Sequence, residues 1–195
     1  MNHFLKQHIE AMGIPYHDNQ IEQLDSMLDF LGEWNQKHNL TRLKKKRDQE
    51  IYHVLDALSA DPYFKESHVI LDVGTGAGFP GIPLAIMNPD KQYHLVDSNG
   101  KKVAYLRALV QHLGLNNVTV YHNRVEQLPL AEVDAVTARA VADPEVVMSL
   151  TKHLNPNVYI LYVGRHCPDT AGAKMIALSV PESDREHWLC YKENK

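Results

Sequence analysis

Ile21, Leu24, Met27, Leu28, Leu31 and Trp34 recur three or four positions apart, which places them on one stripe of an amphipathic helix. Asp18 or Asn19 can cap its start, and Asn19 with Glu22 has the spacing of a capping box. Asn39, Leu40 and Thr41 read as a helix end followed by a new cap. A second helix is predicted from about Asp48 to Leu58, with Ile51, Val54, Leu55 and Leu58 on one side. Asp61-Pro62 interrupts that pattern. The first part of the chain, residues 1–66, is therefore expected to be a helical segment.

From His68 the period changes. The β-branched run His68 to Val73 is followed at once by glycine-rich sequence. A strand at Tyr93–Asp97, a helix at about Gly100–Leu113 and strands at Val118–Tyr121 and Asp134–Thr137 come next. A helix from about Pro144 to His153 and a strand at Val158–Tyr162 follow. Two further strands are expected near Lys174–Val180 and His187–Lys192. Strands alternating with helices imply a parallel sheet covered on both faces. Residues 67–195 are expected to form this α/β domain.

Composition narrows the class. The 195 residues suit one large domain or one with a small appendage. No stretch approaches a membrane-spanning length, and the N-terminus lacks the apolar core of a signal peptide. A soluble cytoplasmic protein, without membrane attachment, is expected. The formal charge is −4, so nucleic-acid binding must rest on local basic patches. The twelve histidines show no ligand spacing, so no metal site is expected. Cys167 and Cys190 are expected to be free thiols in a reducing cytosol.

Asp72-Val73-Gly74-Thr75-Gly76-Ala77-Gly78-Phe79-Pro80-Gly81 follows a strand and precedes a helix, the context of a nucleotide-binding turn. Gly74, Gly76 and Gly78 let the backbone turn tightly and let a ligand approach with no Cβ in the way. Gly76 to Gly81 satisfies the dinucleotide fingerprint G-x-G-x-x-G, whereas the longer Asp-x-Gly-x-Gly-x-Gly is the first motif of class I methyltransferases. The second reading is preferred for three reasons. Asp72 stands just ahead of the glycines. Pro80 and Pro83 remove N–H groups that a diphosphate would want. The chain beyond is short for a dehydrogenase's separate substrate domain. Asp97, ending the second strand, suits a carboxylate that accepts from both ribose hydroxyls, or else a helix cap. Val125, in the loop after the third strand, can offer an apolar wall to an adenine.

Several stretches together resemble the bacterial 16S ribosomal RNA guanine-N7 methyltransferases, the glucose-inhibited division protein B family. Trp34 to Thr41 is similar to the family's W-N-x-x-x-N-L-T, and His53 to Leu58 to its H-x-L-D-S-L. Asp72 to Pro83 matches D-V-G-T-G-x-G-x-P-G-I-P almost letter for letter. Asp97 to Lys102, Arg124-Val125-Glu126 and Arg139-Ala140 continue the likeness, which spans residues 15 to 165. The resemblance implies a Rossmann-like seven-stranded methyltransferase sheet behind an N-terminal helical segment. It implies S-adenosylmethionine contacts at Gly74, Phe79, Val125, Glu126 and Arg139, and ribosomal RNA as methyl acceptor at guanine N7. Val163-Gly164 stands where most members carry Lys-Gly, with Arg165 just beyond, and the 164–181 tail is short enough to have lost a helix.

Guanine N7 already presents a lone pair, so its methylation needs no general base and no catalytic residue is expected. Alignment and exclusion of water suffice. Phosphate contacts are expected from Arg42, Lys44, Lys45, Lys46 and Arg47, from Lys101, Lys102 and Arg107, and from Arg165. The expected partner is 16S rRNA or the small ribosomal subunit, met by a monomer. Two other classes stay open: a protein that binds S-adenosylmethionine for regulation without transferring the methyl, and a nicotinamide-dependent dehydrogenase.

Overall fold

A computed structural model describes residues 2–164, 167 and 172–194. The N-terminal helices are α1 (His3–Ala11) and α2 (Asp18–His38), followed by α3 (Lys46–Gln49), a π-helical stretch Glu50–Leu55 and α4 (Asp56–Ser59), which run on as one rod. The predicted apolar stripe of α2 is buried from Ile21 to Leu31, as are Ile51, Val54, Leu55 and Leu58 of the second rod. The start of α2 differs from the expected capping box. His17 occupies the cap, and its N–H donates to Gln20 Oε1 at 2.7 Å. Gln20 prevails over the Asn19–Glu22 pairing because it faces inward, where its amide also donates to Ile86 O.

The sheet has seven strands: β1 (Val69–Val73), β2 (Gln92–Asp97), β3 (Val118–His122), β4 (Ala135–Arg139), β5 (Val158–Val163), β6 (Ala173–Leu178) and β7 (His187–Glu193). Their order is β3-β2-β1-β4-β5-β7-β6. Strands β1 to β5 are parallel, whereas β7 runs antiparallel between β5 and β6. Helices α5 (Gly81–Met87), α6 (Gly100–Leu113) and α7 (Pro144–Thr151) join the parallel strands. All the carboxyl ends of β1 to β5 therefore lie on one edge, where the order turns from β1 outward in both directions. Open α/β sheets bind their ligands at that edge.

Two apolar clusters sandwich the sheet. One joins α1, α2 and the Lys46–Ser59 rod to Ile70, Leu95, Ile160 and Leu189 of the strands. The helical segment thus shares a core with the sheet. The second lies under α7 and includes Val73, Val96, Val125 and Val136.

Cys167 and Cys190 are joined in a disulfide with Cα atoms 5.3 Å apart, contrary to the expectation of free thiols. The pairing depends on β7 returning antiparallel beside β5, which sets Cys190 opposite Leu161 and near the strand's exit. A linear separation of 23 residues carries no sign of it. In the 164–181 tail, where a helix was expected to be lost, Ala173–Leu178 forms β6, and most of 164–172 lies outside the described residues. Among the described residues no helix is long and apolar enough to cross a membrane.

Candidate functional site

The loop after β1 is held from beneath by two carboxylates. Asp72 is fully enclosed, and its Oδ2 accepts from Gly81 N at 2.9 Å, pinning the start of α5 to the strand. No room remains there for a side chain, since a Cβ on Gly81 would stand 2.7 Å from that same oxygen. Burial pushes the Asp72 carboxyl up to about 7, against the pull of the Gly81 N–H. Asp72 Oδ1 and the Thr75 hydroxyl oxygen have no hydrogen-bond partner in the structure.

Asp97 supplies the second tie. Its Oδ2 accepts from Gly76 N at 3.0 Å and its Oδ1 from Asn99 N at 2.8 Å. Helix α6 is capped by Asn99, which accepts from Lys101 N and Lys102 N, so Asp97 is not the cap. Each Asp97 oxygen keeps a second lone pair. Gly74, Gly76 and Gly78 all have positive φ, 62°, 61° and 92°. They are not equivalent. A Cβ on Gly78 would strike Ile82 and Leu106, so Gly78 packs the loop onto α5 and α6. A Cβ on Gly74 would strike the side chain of Val141, which lies over the loop from the turn after β4 and is 43% exposed. A Cβ on Gly76 would meet no clash, only Gly74 O at 3.8 Å and Lys102 Nζ, the end of a flexible side chain, at 4.0 Å. That clash-free approach beside a half-spent carboxylate fits the ribose end of a nucleoside.

Val125 is buried against Val73 and Val96 at the start of a 3-10 turn (Val125–Gln127), while Glu126 is exposed. Phe79 is buried too, with its ring stacked on His53 at 4.4 Å. Arg139, ending β4, turns toward the helical segment. Its Nη1 donates to Asp56 Oδ2 at 2.8 Å and to Tyr52 O at 3.1 Å, and its Nη2 to His53 Nδ1 at 3.1 Å. Its guanidinium lies 5.3 Å from the Phe79 ring centre. Of five N–H groups, Nε–H and one on Nη2 remain.

Arginine can only donate, so the Arg139 contact makes His53 Nδ1 an acceptor and puts the proton on Nε2, which donates to Thr41 Oγ1 at 2.8 Å; Tyr52 O, 3.2 Å from Nδ1, takes its hydrogen from Arg139 instead. Burial and the neighbouring Arg139 charge push His53 down to about 3. Asp56 is nearly enclosed. Burial alone would raise its carboxyl, but the hydrogen bond from His187 and the Arg139 charge hold it below the usual carboxylate range. Thr41 is fixed in turn by Asn35, whose side chain accepts from Thr41 N and donates to Thr41 O.

The loop glycines, Phe79, Asp97, Val125 and Arg139 thus meet at one sheet edge. The basic residues divide. Arg42, Lys44 and Lys45 are exposed with no described partner. Lys46 bridges Asp25 and Asp29 of α2, and Arg47 pairs with Glu50 and stacks over the Phe4 ring. Lys101 is exposed, Lys102 reaches to 3.8 Å from Asp97 Oδ2, and Arg165 lies outside the described residues. Sequence reasoning assigned no role to Tyr52, His53, Asp56 or His187. The three-residue step from His53 to Asp56 was the available signal, since it places both on one helical face. Among the described residues no cluster could hold a metal ion.

Comparison with known proteins gives the family and the fold. The family model GidB, described as rRNA small subunit methyltransferase G, matches residues 20–192. Ribosomal RNA small subunit methyltransferase G of Neisseria gonorrhoeae is 38% identical over 195 residues, covering 95% of this chain and 94% of its own. That of Hydrogenovibrio crunogenus is 42% identical over 146 residues, 74% of this chain and 67% of its own. Among solved structures, a SAM-dependent methyltransferase from Aquifex aeolicus superposes with a TM-score of 0.58 at 19% identity, over 78% of this chain and 95% of that one. Magnesium protoporphyrin IX methyltransferase from Synechocystis, solved with bound SAM, gives 0.59 at 14% identity, over 92% of this chain and 99% of that one. At such identities the structures establish the fold, a class I methyltransferase sheet.

Proposed function

The chain belongs to the rRNA small subunit methyltransferase G family, and from that premise we propose how its residues serve methyl transfer to 16S ribosomal RNA at guanine N7. The protein is an S-adenosylmethionine-dependent RNA methyltransferase. The observation that carries the site reading is the clash-free approach to Gly76 beside the two free lone pairs of Asp97.

Asp97 accepts from the ribose hydroxyls of the donor, Gly76 lets its chain pass close to the backbone, and Gly74 and Gly78 hold the loop in place under Val141 and against α5 and α6. Val125 gives the adenine an apolar wall, beside Glu126 at the rim. The cofactor supplies a methyl group on a sulfonium, which is electrophilic without further activation. Phe79 and the two unspent N–H groups of Arg139 close the side toward the helical segment. No residue has to take a proton, because guanine N7 attacks with an existing lone pair. The protein therefore aligns the reactants and keeps water from them.

Arg42, Lys44, Lys45 and Lys101 meet the RNA phosphates, with Lys102 shared between Asp97 and the substrate. Lys46 and Arg47 support this surface from below through their ion pairs. Arg165, outside the described residues, is a further phosphate contact in this reading. On the same reading the protein acts as a monomer in the cytoplasm on 16S rRNA or the small subunit. Titration with S-adenosylmethionine tests the donor half. Asp97→Ala should bind at least about ten-fold more weakly, since a charge-assisted hydrogen bond contributes roughly 1.5–3 kcal/mol. Unchanged affinity would remove Asp97 from the site.

A further inference from the structure

The turn between β6 and β7 returns to the helical segment at the point where that segment holds Arg139. His187, the first residue of β7, places Nδ1 2.7 Å from Asp56 Oδ1. The other oxygen of the same carboxylate receives Arg139. Asp56 is ionised and can only accept, so His187 donates from Nδ1. Its Nε2 lies 2.6 Å from Ser183 Oγ. Ser183 Oγ accepts from Arg185 N at 3.1 Å, and its own hydrogen goes to Nε2 at 2.6 Å in preference to the more distant Arg185 O at 3.4 Å, which keeps the Nδ1–H tautomer. The turn has a separate anchor. Asp184 accepts from the Tyr52 hydroxyl, and the Arg185 guanidinium lies 4.0 Å from the Tyr52 ring centre. Tyr52 also gives its carbonyl to Arg139.

We propose that His187 is a positioning residue for methyl transfer: by donating to Asp56 Oδ1 it fixes the rotation of the carboxylate that aims Arg139 at the donor. The inference rests on the donor role assigned to Arg139. A carboxylate held on one oxygen only can rotate about its Cβ–Cγ bond, and Arg139 then keeps only the neutral acceptors Tyr52 O and His53 Nδ1 to set its direction. Held on both, it cannot, and the two unspent N–H groups of Arg139 keep one orientation. The turn's separate anchoring through Tyr52 means that loss of His187 need not release the whole tail.

The test is calorimetric titration of the full chain with S-adenosylhomocysteine, which does not react. His187→Ala should bind about ten-fold more weakly. An asparagine amide can occupy the place of Nδ1 and a glutamine amide that of Nε2, so His187→Asn should restore affinity and His187→Gln should not. Unchanged affinity in His187→Ala, or equal rescue by Asn and Gln, overturns the inference, because packing alone would explain either. If the alanine variant does not fold, the Asn–Gln comparison decides. If none of the three folds, His187 serves the fold and the inference is wrong. Arg139→Ala separates the two levels. Undiminished affinity there removes the donor role of Arg139 and this inference with it. Affinity lost in Arg139→Ala but kept in His187→Ala removes the inference alone.

Discussion

Arg139 Nη1 lies 2.8 Å from Asp56 Oδ2, so the end of β4 is tied to the N-terminal helices by a nearly enclosed ion pair. Removing one partner of a buried pair leaves the other charge uncompensated. Asp56→Ala should therefore destabilise the fold by about 3 kcal/mol, a fall of roughly 6–12 °C in Tm. The comparison is Asp184→Ala in thermal unfolding, where loss of an exposed, solvent-screened carboxylate should move Tm far less.

His53 should stay neutral through the range in which exposed histidines titrate. Its pKa in the fold is pushed down to about 3, below the value of the unfolded chain. Unfolding then takes up a proton between about pH 6.5 and pH 3, so this residue makes stability decline as pH falls through that window. NMR titration of the ring protons should show no His53 transition above pH 5. A transition near 6.5 would contradict the assigned tautomer and its Arg139 contact.

Asp72 has the opposite sign. With its pKa raised to about 7 in the fold, its stability contribution is complete below the unfolded carboxylate value and is lost as pH rises through 7. Asp72→Asn mimics the protonated form. Relative to the unsubstituted protein, this variant should gain stability from about pH 4 to pH 7 and level off above that. A constant difference in Tm across the range would show that Asp72 does not titrate there.

The basic segment should behave as two sets. Replacing Arg42, Lys44 and Lys45 with Ala removes charges that have no described protein partner. The salt dependence of RNA binding should flatten by about two in the log–log slope, with donor affinity unchanged. Lys46→Ala breaks contacts with Asp25 and Asp29. Its main effect should be on stability, at up to about 1 kcal/mol for partly exposed pairs. An equal change in slope from Lys46→Ala alone would merge the two sets.

The parallel half of the sheet was legible because each strand is a short β-branched run ended by a turn or by Asp97. The donor loop was legible because glycine spacing and the strand–helix context are local properties. Nothing local marked the partners of Arg139. They come from a helix over eighty residues upstream and, through Asp56, from a strand at the far end of the chain. Cys167 and Cys190 were misread for the same reason, since their approach depends on an antiparallel return across the sheet. The basic run looked uniform in sequence. Only the placement of Asp25 and Asp29 on α2 and Glu50 after α3 separates its bound charges from its free ones.

The most direct test of the account is methyl transfer itself. Small ribosomal subunits lacking the modification are incubated with the protein and S-adenosylmethionine, and their 16S RNA is mapped by mass. The account predicts one added methyl group on N7 of a single guanine, with the rate sharply reduced in Asp97→Ala. Donor binding without any methyl gained by the RNA, or a methyl found on an atom other than guanine N7, would contradict it.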